Sequence, residues 1–342
     1  MSFKYIQTLP SVDEILQSLP LPEDLSKIKK QRDKEISDVF SQRDDRFILI
    51  IGPCSAHDED ALCSYVSKLA GLQEKVKDEI IIIPRIYTNK PRTRGTGYKG
   101  MLHQPDHQKK PDMAKGLEAI RKMHIRALSE SHLSSADEML YPENYPYLED
   151  LLSYVAVGAR SVENQQHRLT VSGLEVPIGM KNPTSGDFKV MLYSISAAQS
   201  PHIFVYKGWE VETDGNPLAH AVLRGSVDCG GNHIPNYHFE DLIELTDMYE
   251  NAGLKNPAVI VDTNHSNSGK RYYEQPRISM EVMRSREDSS RLKKIVLGLM
   301  IESYLLEGSQ DSTGSEFGKS ITDPCLGWED SERLVMDIAE IL

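Results

Sequence analysis

RFILIIGPCSAHDEDALCSYVSKLAGLQEKVKDEIIIIPR, residues 46–85, reads as a strand, a helix and a second strand. The two outer runs, 46–54 and 80–85, are apolar and β-branched. The segment between them, 59–77, is helix-length and amphipathic. Two strands joined through a helix pair in parallel, and their unbroken apolar runs suit a sheet covered on both faces. The same rhythm continues from Phe47 onward. Further apolar runs lie at 133–139, 155–160, 176–181, 220–225, 258–265 and 296–303. Helical candidates lie at 113–130, 143–153, 185–199, 238–252, 271–288 and 329–341. Strand–helix alternation predicts an α/β fold with a parallel sheet. Eight such strands are the number that closes a (β/α)8 TIM barrel. A doubly wound open sheet is the alternative, weakened because no G-x-G-x-x-G follows the first strand and no P-loop is present. The stretch HIFVYKGWEVETDGNPLAHAVLRG, 202–225, adds two β-like runs around a turn, read as a hairpin inserted before strand six.

The expected organisation is an N-terminal extension, 1–45, and a catalytic barrel, 46–342. The extension has a proline-punctuated lead and then the highly charged EDLSKIKKQRDKEISDVFSQRDD, expected to be a solvated helix. Its expected role is an oligomer contact with a regulatory function. The 342 residues carry 39 Lys+Arg against 51 Asp+Glu, a formal net charge of -12, which argues against a nucleic-acid binder. No apolar run nears the roughly 20 residues of a membrane helix, and no signal peptide opens the chain. Four cysteines are too few for a disulfide scaffold, so a reduced, cytoplasmic protein is expected.

Against that acidic background, no carboxylate lies between Glu79 and Asp106, while Arg85, Lys90, Arg92, Arg94 and Lys99 do. The residues that end the eight strands are Cys54, Arg85, Glu138, Arg160, Lys181, Arg224, His265 and Glu302. A barrel brings all such ends to one rim, where barrels do chemistry. Singly, each has a plain explanation: an arginine emerging into solvent, an inert buried thiol, a packed histidine. Together they divide by chemistry. Arg85, Lys90, Arg92, Arg160, Lys181 and Arg224 are like charges converging on one mouth, which a polyanionic ligand with two phosphates and a carboxylate would offset. Cys54, His265, Glu302 and Asp323 offer a sulfur, an imidazole and carboxylates, a set suited to one borderline divalent metal, Mn, Fe, Co or Zn. No C-x-x-C or H-E-x-x-H supports the metal locally; barrel geometry alone makes the grouping. Cys325 puts a second sulfur near Cys54.

The motifs IIGPCS, PRIYTNKPRT, ADEML, VGARSVENQQHR, GMKNPTSG, VLRG, DTNHSNSGK, MIESYLLEGSQ and GKSITDPCLGWED occur in order from about Phe47 to the C-terminus. They resemble those of the microbial, metal-dependent type I 3-deoxy-D-arabino-heptulosonate 7-phosphate (DAHP) synthases. The resemblance implies a (β/α)8 barrel and a divalent metal. It also implies condensation of phosphoenolpyruvate with erythrose 4-phosphate, the entry to the shikimate pathway. By motif, it puts metal ligands on Cys54, His265, Glu302 and Asp323, and phosphoenolpyruvate contacts on Arg85, Lys90, Arg160, Lys181 and Arg224. The erythrose 4-phosphate clamp falls on Arg92 and Thr93. Lys90, Glu138, Lys181 and His265 carry the catalytic roles, with Lys90 as proton donor and Glu138 aiming a water. KPRT favours the four-carbon aldose over the arabinose 5-phosphate of a sister family. A catalytically dead sugar-phosphate or amino acid sensor would lack ligands or clamps, and none is missing. The resemblance further implies a homodimer or homotetramer and an aromatic amino acid inhibitor. Two departures stand out: GSVDCGGNHI, 225–234, is longer than the common form of that loop, and Glu175 occupies a position where small residues are usual.

Overall fold

The structure, a computed structural model, describes residues 2–92 and 95–342. Eight parallel strands run Phe47–Gly52, Ile80–Pro84, Ser135–Glu138, Leu152–Val157, Ile178–Lys181, Ala219–Leu223, Val259–Asp262 and Val296–Glu302. Each pairs with its neighbour in sequence, and the eighth pairs with the first. A parallel bridge between Arg85 and Ala136 joins the second strand to the third and closes the barrel.

The unbroken apolar runs have a geometric reason. Successive side chains on a strand point to opposite faces. In strand one, Ile48 and Ile50 join the barrel's interior with Ile81, Ile83, Val222, Ile260 and Met300. Phe47, Leu49 and Ile51 face the other way, into the layer under the surrounding helices. Both faces are dry, so no position calls for a polar residue.

The helices Glu59–Val76, Met113–Ser131, Phe188–Ala198 and Phe239–Ala252 follow the expected segments closely. Asp58, Asp112 and Asp187 cap the first three, accepting hydrogen bonds from backbone amides of the first turn. The expected helix at 143–153 is instead a 3-10 turn, Pro142–Tyr147, and strand four starts at Leu152 rather than 155. Pro146 removes an interior amide donor and disfavours helical backbone at Tyr145, so a full helix cannot propagate. Helices Gln275–Asp288 and Trp328–Ile341, with the short helices Gln165–Val171 and Ser290–Ile295, complete the ring. The inserted hairpin is present, His202–Tyr206 against Trp209–Thr213, just before the sixth barrel strand.

The N-terminal segment departs from a solvated arm. Helix Val12–Ser18 begins with a capping box between Ser11 and Glu14. Helix Glu23–Phe40 turns its last residues, Ile36, Val39 and Phe40, into the barrel's interior cluster. The charge-rich sequence hid a narrow apolar stripe that plugs the barrel floor. Phe40 stacks on His220 with ring centroids 4.2 Å apart. His220 Nδ1 donates to the Leu218 carbonyl (2.8 Å), and Nε2 accepts from the Tyr154 hydroxyl (2.9 Å). Burial pushes the pKa of this imidazole down to about 4.

Two outcomes follow from the plug. Phe40→Ala empties the floor of the core and is expected to cost about 3–5 kcal/mol in urea denaturation. The His220 pKa is lower in the folded chain than in the unfolded one, so its contribution is complete above about pH 6.5 and declines as pH falls towards 4. Between those limits wild type should lose about 3 kcal/mol more than His220→Gln; equal slopes would show that His220 is not the buried titrating group.

Candidate active site

The carboxyl ends of the strands open on a cavity of about 360 Å³. Cys54, Arg85, Lys90, Arg92, Glu138, Arg160, Lys181, Arg224, His265 and Asp323 all line it. Glu302 lies just beneath, fully buried against Arg85. Thr93 lies outside the described residues, as does Arg94. Residues from across nearly the whole barrel sequence thus converge, because parallel strands all end on the same side.

Cys54 Sγ and carboxylate oxygens of Glu302 and Asp323 lie within 4.8 Å of one another. His265 stands at the edge of this group, with Nε2 3.8 Å from Glu302 Oε1 and Nδ1 2.8 Å from Asp262 Oδ2. It adopts φ +50°, a left-handed conformation that costs a non-glycine residue energy and is concentrated at functional sites. Lys90 Nζ donates to Cys54 Sγ (2.7 Å) and Asp323 Oδ2 (2.9 Å). The cation therefore sits among the candidate ligand atoms rather than out over the cavity. Burial works against its charge, but Cys54 and Asp323 hold the Lys90 pKa above its ordinary range. Burial and the Glu302 charge push the Cys54 thiol up to about 11. At neutral pH the thiol is protonated, so Asp323 is the charge that holds Lys90.

The donor set fits a divalent cation. Glu302 Oε1 is buried and among the described residues accepts no hydrogen bond, although Arg85 Nη2 stands 3.0 Å away. Its other oxygen accepts from Asn264 Nδ2 at 2.5 Å. Cys54 N–H points to Cys325 Sγ at 3.4 Å, so the two sulfurs are neighbours, as their positions suggested.

The cations are not equally free. Arg85 is about 1% exposed, donates to the Pro53 carbonyl and lies flat over Tyr87, 3.7 Å from its ring centre. Lys181 Nζ is 3.3 Å from Asp262 Oδ2 and 5.7 Å above the same ring. Arg224 Nη1 donates to Ser266 Oγ at 3.3 Å, and burial together with the nearby Arg160 charge lowers its pKa. Glu138 has room because Gly158 lies opposite: a Cβ there would come within 2.3 Å of Glu138 Oε1.

Sequence reasoning missed Asp262. It is fully buried, and its carboxyl is held far below the usual range; burial opposes this, but the His265 and Lys181 charges prevail. Its signal was in the chain, three residues before His265 in DTNH, but only the residue after the strand was read as a rim group. Lys270, in NSGK, was also passed over; its Nζ is 3.0 Å from Asp323 Oδ1. Asp137 accepts from the amides of Thr88 and Glu138, fixing the start of the Lys90 loop. The long loop at 225–234 forms a small hairpin, Ser226–Val227 with His233–Ile234, and His233 Nδ1 lies 3.0 Å from Ser266 Oγ.

Residues 25–336 match the sequence profile of the DAHP synthetase I family. The chain belongs to that family. A phospho-2-dehydro-3-deoxyheptonate aldolase of Haemophilus influenzae is 37% identical, over 98% of this chain and 92% of that protein. The Phe-sensitive enzyme of that name from Escherichia coli K12 is 36% identical, over 97% and 94%. A solved phospho-2-dehydro-3-deoxyheptonate aldolase from Francisella tularensis SCHU S4 superposes with a TM-score of 0.91 at 31% identity, covering 99% of this chain and 98% of its own. DAHP synthetase I membership spans the barrel and most of helix Glu23–Phe40, so that plug belongs to the matched region.

Asp262→Asn would leave Lys181 buried without its compensating charge. A loss of about 3–5 kcal/mol is expected in urea denaturation, because removing one partner strands the other. Stability equal to wild type would mean that the pair carries no net stabilisation.

Proposed function

We infer that this chain condenses phosphoenolpyruvate with D-erythrose 4-phosphate and water to give DAHP and phosphate, the first step of the shikimate pathway to chorismate and aromatic amino acids. The observation that carries this reading is the convergence of six cations and a Cys/Glu/Asp group in one cavity of an acidic chain. Two phosphates and a carboxylate are the anionic groups that the substrates bring.

Arg160, Lys181, Arg224 and the cavity-facing edge of Arg85 bind phosphoenolpyruvate. Arg92 and Thr93 clamp the aldose phosphate. Held this way, the enol carbon faces the aldehyde carbon and the encounter becomes nearly unimolecular. Lys90 holds a proton at Nζ beside the reacting pair and donates it to the developing alkoxide. Glu138 aims the water. One divalent metal, Mn, Fe, Co or Zn, would be held by Cys54, His265, Glu302 and Asp323 and would supply Lewis-acid polarisation of the aldehyde. Lys90 contacts Cys54 and Asp323, two of the residues that would hold the metal, and its ammonium stands beside the cavity where substrate would bind. Arg85 keeps Glu302 oriented through their 3.0 Å contact.

We further propose control by an aromatic amino acid. A cavity of about 510 Å³ lies between helix Glu23–Phe40, residues 173–176 and the inserted hairpin, with Phe204, Tyr206 and Val211 as apolar walls and Glu149 and Glu175 at the edge. The Escherichia coli relative is named Phe-sensitive. Assembly as a homodimer or homotetramer, with residues 1–45 in the contact, is supported by exposed Phe3, Tyr5 and Ile6 and by Ile203, Val205 and Trp209 on the hairpin. A reduced cytoplasmic setting goes with four free cysteines.

Phosphate release from phosphoenolpyruvate is expected with erythrose 4-phosphate and should stop on chelation. Release with arabinose 5-phosphate instead would identify the sister reaction, and release with neither would favour a sensor. Metal analysis should find one divalent ion per chain in wild type and loss of it in Cys54→Ser. Arg92→Ala should raise KM for erythrose 4-phosphate about 10- to 100-fold, the worth of one charge-assisted contact, with little change for phosphoenolpyruvate. Phe, Tyr and Trp tested singly should reveal one inhibitor; none would remove the proposed control.

A further inference from the structure

At the opposite end of the barrel from the site, a cavity of about 930 Å³ opens where the strands begin. Its wall includes Arg286, at the end of helix Gln275–Asp288, and Ser290, Lys293 and Lys294 from the next short helix. Arg286 is 6% exposed, and its guanidinium lies over the Phe47 ring, 4.6 Å from the centre. Its Nε is buried and donates to nothing, and among the described residues no protein acceptor meets its Nη atoms. Burial lowers its pKa to about 10, with no carboxylate acting in the other direction. It remains charged at neutral pH, and an unpaired, desolvated cation is costly.

The opposite wall carries carboxylates, but none of them pairs with Arg286. Asp44 is committed to Arg46 at 2.6 Å. Asp45, Asp78 and Glu79 line the same cavity but make no ion pair with Arg286. Lys293 and Lys294 are exposed at the end of their helix, where cations are favoured by the helix dipole. That placement accounts for two surface lysines. It does not account for a largely buried guanidinium whose Nη donors open on the cavity and meet no protein acceptor among the described residues.

We propose that this floor cavity binds a phosphate-type oxyanion, with Arg286 as the buried anchor and Lys293 and Lys294 as the outer contacts. A planar fork of donors suits a tetrahedral oxyanion, and compact ammonium groups complete it from the solvent side. The anion is either inorganic phosphate or a phosphate carried on a small organic molecule; the recognising chemistry is shared. The site is separate from the rim, and its occupancy is read by binding, whatever the chain's catalytic activity.

The test uses the full chain carrying Arg160→Ala and Arg224→Ala, which weaken rim contacts to phosphate. Inorganic phosphate and glycerol 3-phosphate are titrated separately by calorimetry, with melting temperature as a second readout. Saturable binding of about one equivalent of either probe is expected in this background. Adding Lys293→Gln and Lys294→Gln should weaken it about ten-fold or more, and adding Arg286→Met should abolish it. Binding of inorganic phosphate marks the free ion as sufficient; binding of the ester alone marks a carried phosphate. No saturable binding of either probe, or affinity unchanged by the two lysine substitutions, overturns the proposal. The lysines are on the surface, so their variant keeps the test intact even where Arg286→Met does not fold.

Discussion

Buried carboxylates make this cation-rich rim sustainable. Arg85 against Glu302, Lys181 against Asp262 and Lys90 against Asp323 are three ion pairs at one end of one barrel. Without them, converging ammonium and guanidinium groups would repel one another in a low-dielectric setting where such repulsion is strong. With them, each cation is held in place before substrate arrives, and the ordering entropy has been met on folding rather than on binding. The arrangement leaves some charge unspent. Tyr87 is shared beneath Arg85 and Lys181 and softens their repulsion through its π face.

The same pairs tie chemistry to architecture. Glu302 and Asp262 terminate the eighth and seventh strands, which are hydrogen-bonded to each other, and Arg85 follows the second. The positions of the charges are therefore set by strand register and by the packing of the barrel's interior. That interior is closed below by Phe40 and His220. Floor and rim are two ends of one packed column, so a loosened floor would also loosen the geometry above. Lys90, by contrast, sits on a loop and among the described residues is held by Cys54, Asp323 and a backbone contact to Lys99. It is the group best able to move when the site fills.

Much of the barrel was legible because parallel strands buried on both faces leave a coarse signal: unbroken apolar runs at helix-length intervals. Strand four was displaced, since Pro146 cuts short the helix expected before it. The plug helix was misread because its charged positions outnumber the three residues that matter, Ile36, Val39 and Phe40. Asp262 and Lys270 were missed for a different reason. Each lies inside a motif already noticed, but a partner's identity depends on which side chains face each other across the barrel.

By itself the sequence determined the repeat of buried strand and amphipathic helix, the excess of cations at the strand ends and the soft ligand set. Those are local properties of residue type and spacing. Tertiary structure decided that Lys90 lies between Cys54 and Asp323, that Asp262 holds both Lys181 and His265, and that Arg286 is left without a paired carboxylate at the floor. Such pairings join residues far apart in the chain, and their energies depend on distance and burial, which exist only once the barrel has closed.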